Sequence, residues 1–202
     1  MMPYAAVGMA VPPKEASMKW LIAAWLVLIV PVVHAVECGP LITDSRVKSL
    51  EKSLTDAIEV LDQHNKLLLD EISKLLASTP SEASLNQAGK INLESDLLLS
   101  AKSAGEIVQA RLDALSTLVS IRDLMVDKRD KMFVEVQLSA SVVFTKNLAE
   151  IAYKRANESL ARLSRPGVAI DVSKLRDTIG VVSNEFQRCE SPKLPSRRPA
   201  TR

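Results

Sequence analysis

Apolar residues recur at steps of three, four and seven along most of the chain after residue 43, the period of an α-helix with one buried face. The first such segment runs from about Asp44 to Ala77, with charged residues on its opposite side, and it ends at Ser78-Thr79-Pro80. Its apolar stripe consists of Val47, Leu50, Leu54, Ile58, Leu61, Leu68, Ile72 and Leu75. The pattern predicts a long amphipathic helix.

A capping signal opens the second helical segment. Thr79 is followed by Pro80 and, three residues after Thr79, by Glu82. This order predicts a capping box with Thr79 as the N-cap and proline at the first helical position. Gly89 and Asn92 predict one break, with Asn92 capping the remainder. The stripe that follows is Leu93, Leu97, Ala101, Ala104, Val108, Leu112, Leu115 and Val119.

Two features of this region affect the packing. Gly105 costs ~1 kcal/mol relative to alanine in a helix, and we expect its small size to admit a close neighbouring helix.

The stretch from Asp127 to Lys131 is charged throughout and contains neither glycine nor proline. It is therefore either a tight turn or the exposed middle of one long helix, and both alternatives stay open.

Two further helices complete the pattern. The third stripe is Val134, Leu138, Val142, Leu148, Ala152, Ala156, Leu160 and Leu163, and Arg165-Pro166-Gly167 is expected to end that helix. Asp171 is the predicted N-cap of a fourth helix, whose inward residues are Val172, Leu175, Ile179, Val182 and Phe186. The sequence therefore predicts an all-α fold, an antiparallel up-down bundle of four helices.

The N-terminal residues have the pattern of a cleaved secretory signal. Lys19 precedes an apolar run from Leu21 to Val33, and Val33-His34-Ala35 suits signal peptidase. The run is shorter than the ~20 residues that a helix needs to cross a bilayer. We predict cleavage between Ala35 and Val36, with an uncleaved membrane anchor as the alternative.

The predicted domain organisation follows from this signal. An ordinary signal starts close to its apolar run, so Met18 is the expected start and residues 1–17 are interpreted as a misassigned leader. Residues 18–35 form the signal peptide and 36–190 the helical bundle. Residues 191–202 hold three prolines and four basic residues, which is typical of a disordered basic tail. That tail is either a solvated end or a contact with an acidic envelope surface.

The two cysteines support the four-helix topology. Cys38 precedes the first predicted helix and Cys189 follows the fourth. A disulfide requires Cα atoms within ~7 Å, and an up-down bundle of four helices returns its C-terminus to the end where it began. We therefore predict a Cys38–Cys189 disulfide that joins the two ends in an oxidising compartment. The alternative, a redox-active pair, lacks the Cys-x-x-Cys spacing.

Composition indicates the kind of core and excludes one functional class, nucleic-acid binding. After cleavage the only aromatic residues are Phe133, Phe144, Tyr153 and Phe186, so the core must be aliphatic, as in packed helices. Removal of Lys14, Glu15 and Lys19 lowers the formal net charge from +2 to +1. Such a balance gives no electrostatic footprint for nucleic acid.

His64 is the one histidine after residue 35 and the main candidate for a cofactor ligand or a catalytic residue. Leu61 stands three residues before it, so the Glu-x-x-His pattern of di-iron bundles is missing. Haem held by His64 with Met125 or Met132 is an alternative, and a Ser–His–Asp triad stays open because triads assemble in space. The abundant carboxylates are expected on solvated faces: Asp56, Glu59, Asp62, Asp70, Glu71, Glu94 and Asp96.

No zinc spacing, phosphate loop or Gly-x-Ser-x-Gly elbow occurs in the sequence. We therefore predict a periplasmic or secreted, non-enzymatic interaction module without a cofactor, such as an adapter, inhibitor or immunity protein. Its expected partner is another envelope protein, with no nucleic acid and no stable membrane span after cleavage. The alternatives are a small-ligand or haem carrier around His64 and a self-associating coiled-coil protein.

Overall fold

A computed structural model describes residues 42–77 and 81–187, and four long helices account for most of them. The helices are α1 (Asp44–Ala77), α2 (Glu82–Leu124), α3 (Lys128–Leu160) and α4 (Pro166–Gln187). Each helix packs against the next, and α1 also packs against α4. The predicted all-α architecture is confirmed, with four helices in an antiparallel up-down arrangement.

Aliphatic stripes from all four helices form one core. The predicted stripe of α4 is buried throughout, and five of the eight stripe residues of α1 are buried while the other three are partly buried. α2 and α4 also contact each other across the diagonal, whereas α1 and α3 barely do. Leu93, predicted to face the core, is instead 60% exposed, so the stripe predicted for α2 is wrong at that position.

α2 begins two residues later than the capping signal predicts. Its N-cap is Ser81, whose hydroxyl accepts from the Ser84 backbone N–H at 3.1 Å, while the Ser81 N–H donates to the Ser84 hydroxyl at 2.8 Å. The prediction of Thr79 as the N-cap is therefore wrong. The predicted break at Gly89 and Asn92 is also wrong, because α2 is continuous through both residues.

The charged stretch after α2 contains a tight turn, which decides between the two alternatives. α2 ends at Leu124 and α3 begins at Lys128. The Asp127 carboxylate accepts from the backbone N–H groups of Arg129 at 2.7 Å and Asp130 at 3.2 Å. These bonds satisfy two of the four amides that have no partner within the helix at its N-terminus, so a helix can start without glycine or proline before it.

α4 begins where the sequence predicts a stop. Pro166 is its first residue, and the Ala169 N–H donates to the Arg165 carbonyl at 3.0 Å. Proline suits the first helical position because its missing N–H would have no helical partner there. The prediction that Asp171 caps this helix is wrong, since Asp171 lies in its second turn.

The expected close approach at Gly105 is confirmed. A Cβ atom placed on Gly105 would lie 2.9 Å from Leu175 Cδ1 and 3.3 Å from Ile58 Cγ1. α2 therefore meets α4 and α1 at this residue with no room for a methyl group. A side chain here would have to displace fully buried Leu175.

α2 and α3 extend beyond the helices that flank them. α4 has 22 residues and α3 has 33, which makes α4 about 17 Å shorter at 1.5 Å per residue. Asp44, the first residue of α1, bonds to Ser116, so residues 117–124 lie past the start of α1. Gly180 packs against Tyr153, so the start of α3 lies past the end of α4. Within the described residues, the α2–α3 hairpin projects from the bundle.

Several predictions lie outside the described residues. They are the leader 1–17, the signal peptide 18–35 with cleavage between Ala35 and Val36, the Cys38–Cys189 disulfide and the tail 191–202. Among the described helices, none combines the length and the apolar character that a bilayer crossing requires.

Alanine substitutions at two glycines of α2 are expected to change stability in opposite directions. Gly89→Ala meets no atom within 4 Å, so the gain in helix propensity should raise the free energy of unfolding by ~0.5–1 kcal/mol. Gly105→Ala should lower it by ~1 kcal/mol, because overpacking outweighs that gain. Urea denaturation of both variants measures the difference, and equal stabilisation by both would contradict a close approach at Gly105.

Candidate interaction surface

α2 is apolar on two opposite sides. One side faces the core, and the other carries large apolar residues that are exposed in the described structure: Leu85, Leu93, Leu99, Ile107, Ile121 and Leu124. A helix of a globular protein ordinarily shows a single apolar stripe toward its core. The second stripe of α2 therefore marks a surface that α1, α3 and α4 leave uncovered.

The second stripe borders a groove between α2 and α3. The groove has a volume of about 730 Å³ and is lined by Arg111, Ala114, Thr117 and Leu118 of α2 and Gln137, Ala140, Ser141 and Phe144 of α3. A smaller cavity between the same helices is lined by Leu97, Ser100, Arg155, Glu158, Ser159 and Arg162. The two depressions follow one side of the α2–α3 pair.

Seven-residue steps place the exposed apolar residues on this same side. Ile107 and Ile121 lie seven residues before and after Ala114, and Phe133 lies seven residues before Ala140. Positions seven apart share one helix face. We call this surface the outer face. Its large apolar residues are Leu93, Ile107, Ile121 and Leu124 of α2 and Phe133, Phe144 and Ile151 of α3.

The outer face ends at the tip of the hairpin, where exposure is highest. Leu124 is 80% exposed, Val126 in the turn is 99% exposed and Phe133 is 65% exposed. Met132 is exposed beside them. Single exposed apolar residues are ordinary on protein surfaces, whereas a contiguous apolar patch indicates a binding site.

The arginines of the bundle divide into two groups. Arg46, Arg122, Arg165 and Arg176 each form an ion pair with a carboxylate. Within the described part of the chain, the remaining four have no such carboxylate partner: Arg111, Arg129, Arg155 and Arg162. All four belong to α2, α3 or the residues directly after α3, and three of them line the two depressions of the outer face.

Arg111 is the most constrained of these four arginines. Its guanidinium carbon lies 4.5 Å from the centroid of the Phe144 ring, within the range of a cation–π contact. Its Nε atom is buried and has no hydrogen-bond partner in the described structure. Stacking therefore holds a guanidinium at the groove with hydrogen-bonding capacity unused.

A second polar cluster joins the α3–α4 loop to α1 and α2. Arg165 binds the Glu71 carboxylate with two hydrogen bonds, at 2.6 and 3.0 Å, and its Nε lies 2.9 Å from Glu94 Oε2. The Ser164 hydroxyl donates to the other oxygen of Glu94. The Nε contact is electrostatic and not a directed hydrogen bond, since Glu94 Oε2 lacks a hydrogen-bond partner.

These contacts make the cluster a structural clamp. The Arg165 guanidinium lowers the pKa of Glu71, and the same pairing raises the pKa of Arg165. Glu94 is only 5% exposed, which corrects the expectation that it lies on a solvated face. The signal for its burial was its position three residues after Ile91 and four before Leu98, both fully buried.

His64 lies at the edge of the core beside the start of α4. Its Nδ1 is 2.6 Å from Asp171 Oδ2, and a Cβ atom on Gly167 would lie 3.1 Å from its Cε1. Met125 and Met132 flank the turn at the far end of α2, about 40 Å along the helix, so the haem ligand pair proposed with His64 is not assembled.

Neither a serine hydroxyl nor a metal-binding cluster accompanies His64 in the described residues. Within the described residues, no serine hydroxyl hydrogen-bonds to His64, so a Ser–His–Asp triad is not brought together there. In the same part of the chain, no group of three or more histidine, cysteine, aspartate or glutamate side chains could hold a metal ion.

Polar pairs also join α1 to α2 along their length. The bonds between Asp44 and Ser116, Thr55 and Gln109, Asp62 and Lys102, and Asn65 and Ser95 have lengths of 2.6 to 2.8 Å. The residue numbers of the partners fall along α2 as they rise along α1, which is the register of two antiparallel helices. Asp62 raises the pKa of Lys102, so this carboxylate is also engaged and not simply solvated.

Glu51 and Asp113 form a carboxyl pair within the same interface. Burial raises the pKa of Glu51, and the hydrogen bond and the negative charge of Asp113 raise it further. This is the one place in the described α1–α2 interface where the pKa of a carboxyl is raised by a second carboxyl.

Comparison with known proteins identifies no relative: no family model, no curated protein and no solved structure matches this chain.

Replacing Glu51 by glutamine is expected to stabilise the protein at neutral pH. Because the folded pKa of Glu51 is raised, its favourable contribution is complete below the unfolded pKa of ~4.3 and is lost as the pH rises through the folded pKa. Glutamine imitates the protonated acid, so Glu51→Gln should add ~0.5 kcal/mol to the free energy of unfolding at pH 7 and nothing at pH 4 or below.

Urea denaturation at both pH values measures this effect, with Glu59→Gln on α1 as a control for the same change of charge. A Glu51→Gln variant that is less stable than the parent protein at pH 7 would refute the interpretation of the Glu51–Asp113 pair.

Proposed function

We propose that this protein is a non-enzymatic helical interaction module that binds a protein partner through the outer face of α2 and α3. The observation that carries the proposal is the second apolar stripe of α2, continued by Phe133, Phe144 and Ile151 of α3. An adapter, inhibitor or immunity protein would bind through such a surface, because a few large, well-packed side chains supply most of the binding energy of an interface.

The size of the outer face supports this proposal. About 30 residues of two adjacent helices, each ~10 Å wide, cover on the order of 900 Å². A stable protein–protein interface buries ~800 Å² per partner. The outer face is therefore large enough to hold such an interface.

The proposed compartment is the periplasm or the extracellular space, reached through the signal peptide 18–35, and the proposed partner is another envelope protein.

The positions of the start of α1 and the end of α4 support a Cys38–Cys189 disulfide. Arg46 forms an ion pair with Glu185, so the first turn of α1 and the last turn of α4 lie together, eight and four residues from the two cysteines.

The disulfide is tested on protein exported from its source cells. Mass spectrometry of a non-reduced digest is expected to find the peptide of Cys38 linked to that of Cys189, and reduction should lower the free energy of unfolding by ~2–4 kcal/mol. Alkylation of both thiols without prior reduction would contradict the bridge.

Photocrosslinking in the source cells tests the proposed surface. A photoreactive amino acid at Ile107 or Phe133 is expected to form a discrete adduct with another protein, because both side chains lie on the outer face. Val181 of α4 is exposed to a comparable degree but lies elsewhere, and it serves as the control. Equal adducts at all three positions, or none at Ile107 and Phe133, would refute the outer face as the binding surface.

A further inference from the structure

The arginines of the outer face form a row along the groove. Arg129 lies four residues before Phe133 and therefore shares its side of α3. From Arg129 to the level of Arg111, which stacks on Phe144, the distance is about 22 Å at 1.5 Å per residue. Arg155 lies about 16 Å further along α3 and Arg162 about 10 Å beyond that. The row therefore accompanies the apolar residues along nearly the whole outer face.

Charge complementarity favours carboxylates opposite this row. A guanidinium presents five N–H donors in a planar fork that matches a carboxylate with two parallel hydrogen bonds. Arg111 is already held by the Phe144 ring, so little side-chain entropy is lost when a carboxylate binds its guanidinium. Glu158, which also borders the smaller cavity, forms no ion pair with Arg155 or Arg162 in the described structure.

The shape of the groove favours a helix as the occupant. Small residues line its floor between larger neighbours, namely Ala114, Thr117, Ala140 and Ser141. Helices pack at interaxial distances of 8–10 Å when small side chains lie at the contact. A third helix laid between α2 and α3 would bury Ile107, Ile121 and Phe133 together, as in other complexes where an amphipathic helix fills a groove.

We propose that the outer face binds an amphipathic α-helix of the partner protein, with its apolar side in the α2–α3 groove and carboxylates against Arg111 and Arg155. This inference rests on the proposed function and names the chemistry of the partner. A second copy of the chain fits less well, because it would bring one row of arginines against another, and like charges across an interface cost binding energy.

Peptide binding to the mature protein tests this chemistry. The probe is a synthetic amphipathic helix of about 20 residues with leucines along one side and glutamates flanking them. The control peptide has the same sequence with lysine in place of every glutamate. Fluorescence anisotropy at an ionic strength of about 50 mM is expected to show at least tenfold tighter binding of the glutamate peptide.

Paired variants locate the binding site. Arg111→Gln with Arg155→Gln should weaken binding of the glutamate peptide about tenfold, since each charge contact contributes ~0.5–1 kcal/mol. Arg46→Gln with Arg176→Gln removes the same charge from the other helices and should change the affinity less than twofold. Circular dichroism and the urea midpoint confirm that both paired variants remain folded.

Four results would overturn the inference. Equal affinities for the two peptides, or no binding of the glutamate peptide at about 1 mM, would refute a carboxylate-bearing helix as the occupant of the groove. Adducts at Ile107 and Phe133 would in that case still support the proposed function. Arginine-dependent binding to phosphatidylglycerol vesicles but not to phosphatidylcholine vesicles, without peptide binding, would assign the face to a membrane. A dimer in sedimentation equilibrium that Ile107→Glu dissociates would assign it to a second copy.

Discussion

The described bundle depends on the close contact between α2 and α4 across its diagonal. α2 and α4 each contact all three other described helices, and at Gly105 α2 meets Ile58 of α1 and Leu175 of α4 with no space for a Cβ atom. A larger residue there would push two helices away at once. Interiors are close-packed and transmit strain. The diagonal contact between α2 and α4 is therefore possible only because residue 105 has no side chain.

Polar contacts then fix the register in which the helices meet. The pairs between α1 and α2 and the clamp of Arg165 on Glu71 and Glu94 are spaced along the bundle from Asp44 to the α3–α4 loop. Apolar stripes alone would permit neighbouring registers, because one aliphatic side chain can replace another. A buried carboxylate such as Glu94 permits only the register that supplies its cation, since an unpaired buried charge is costly.

The outer face differs from the interior in both respects. Its apolar residues have no helix over them, and its four arginines have no carboxylate partner within the described residues, although the arginines elsewhere in the bundle are paired. The proposed docking of an amphipathic partner would account both for the apolar stripe and for the row of arginines without carboxylates on one surface.

The sequence by itself determined the helices, because the period of 3.6 residues is a local property of the pattern. It predicted α1 from Asp44 to Ala77, the inward residues of α4 and the small residue at the close approach. It misplaced the cap of α2 and the start of α4, because several hydroxyl, carboxylate and proline residues near each end could begin a helix. Only the tertiary structure decided that Leu93 lies outside, that Glu94 lies inside and that Arg111 lacks a carboxylate. The physical reason is that burial and pairing depend on which helices cover each face, and two apolar faces on α2 leave that choice to the other three helices.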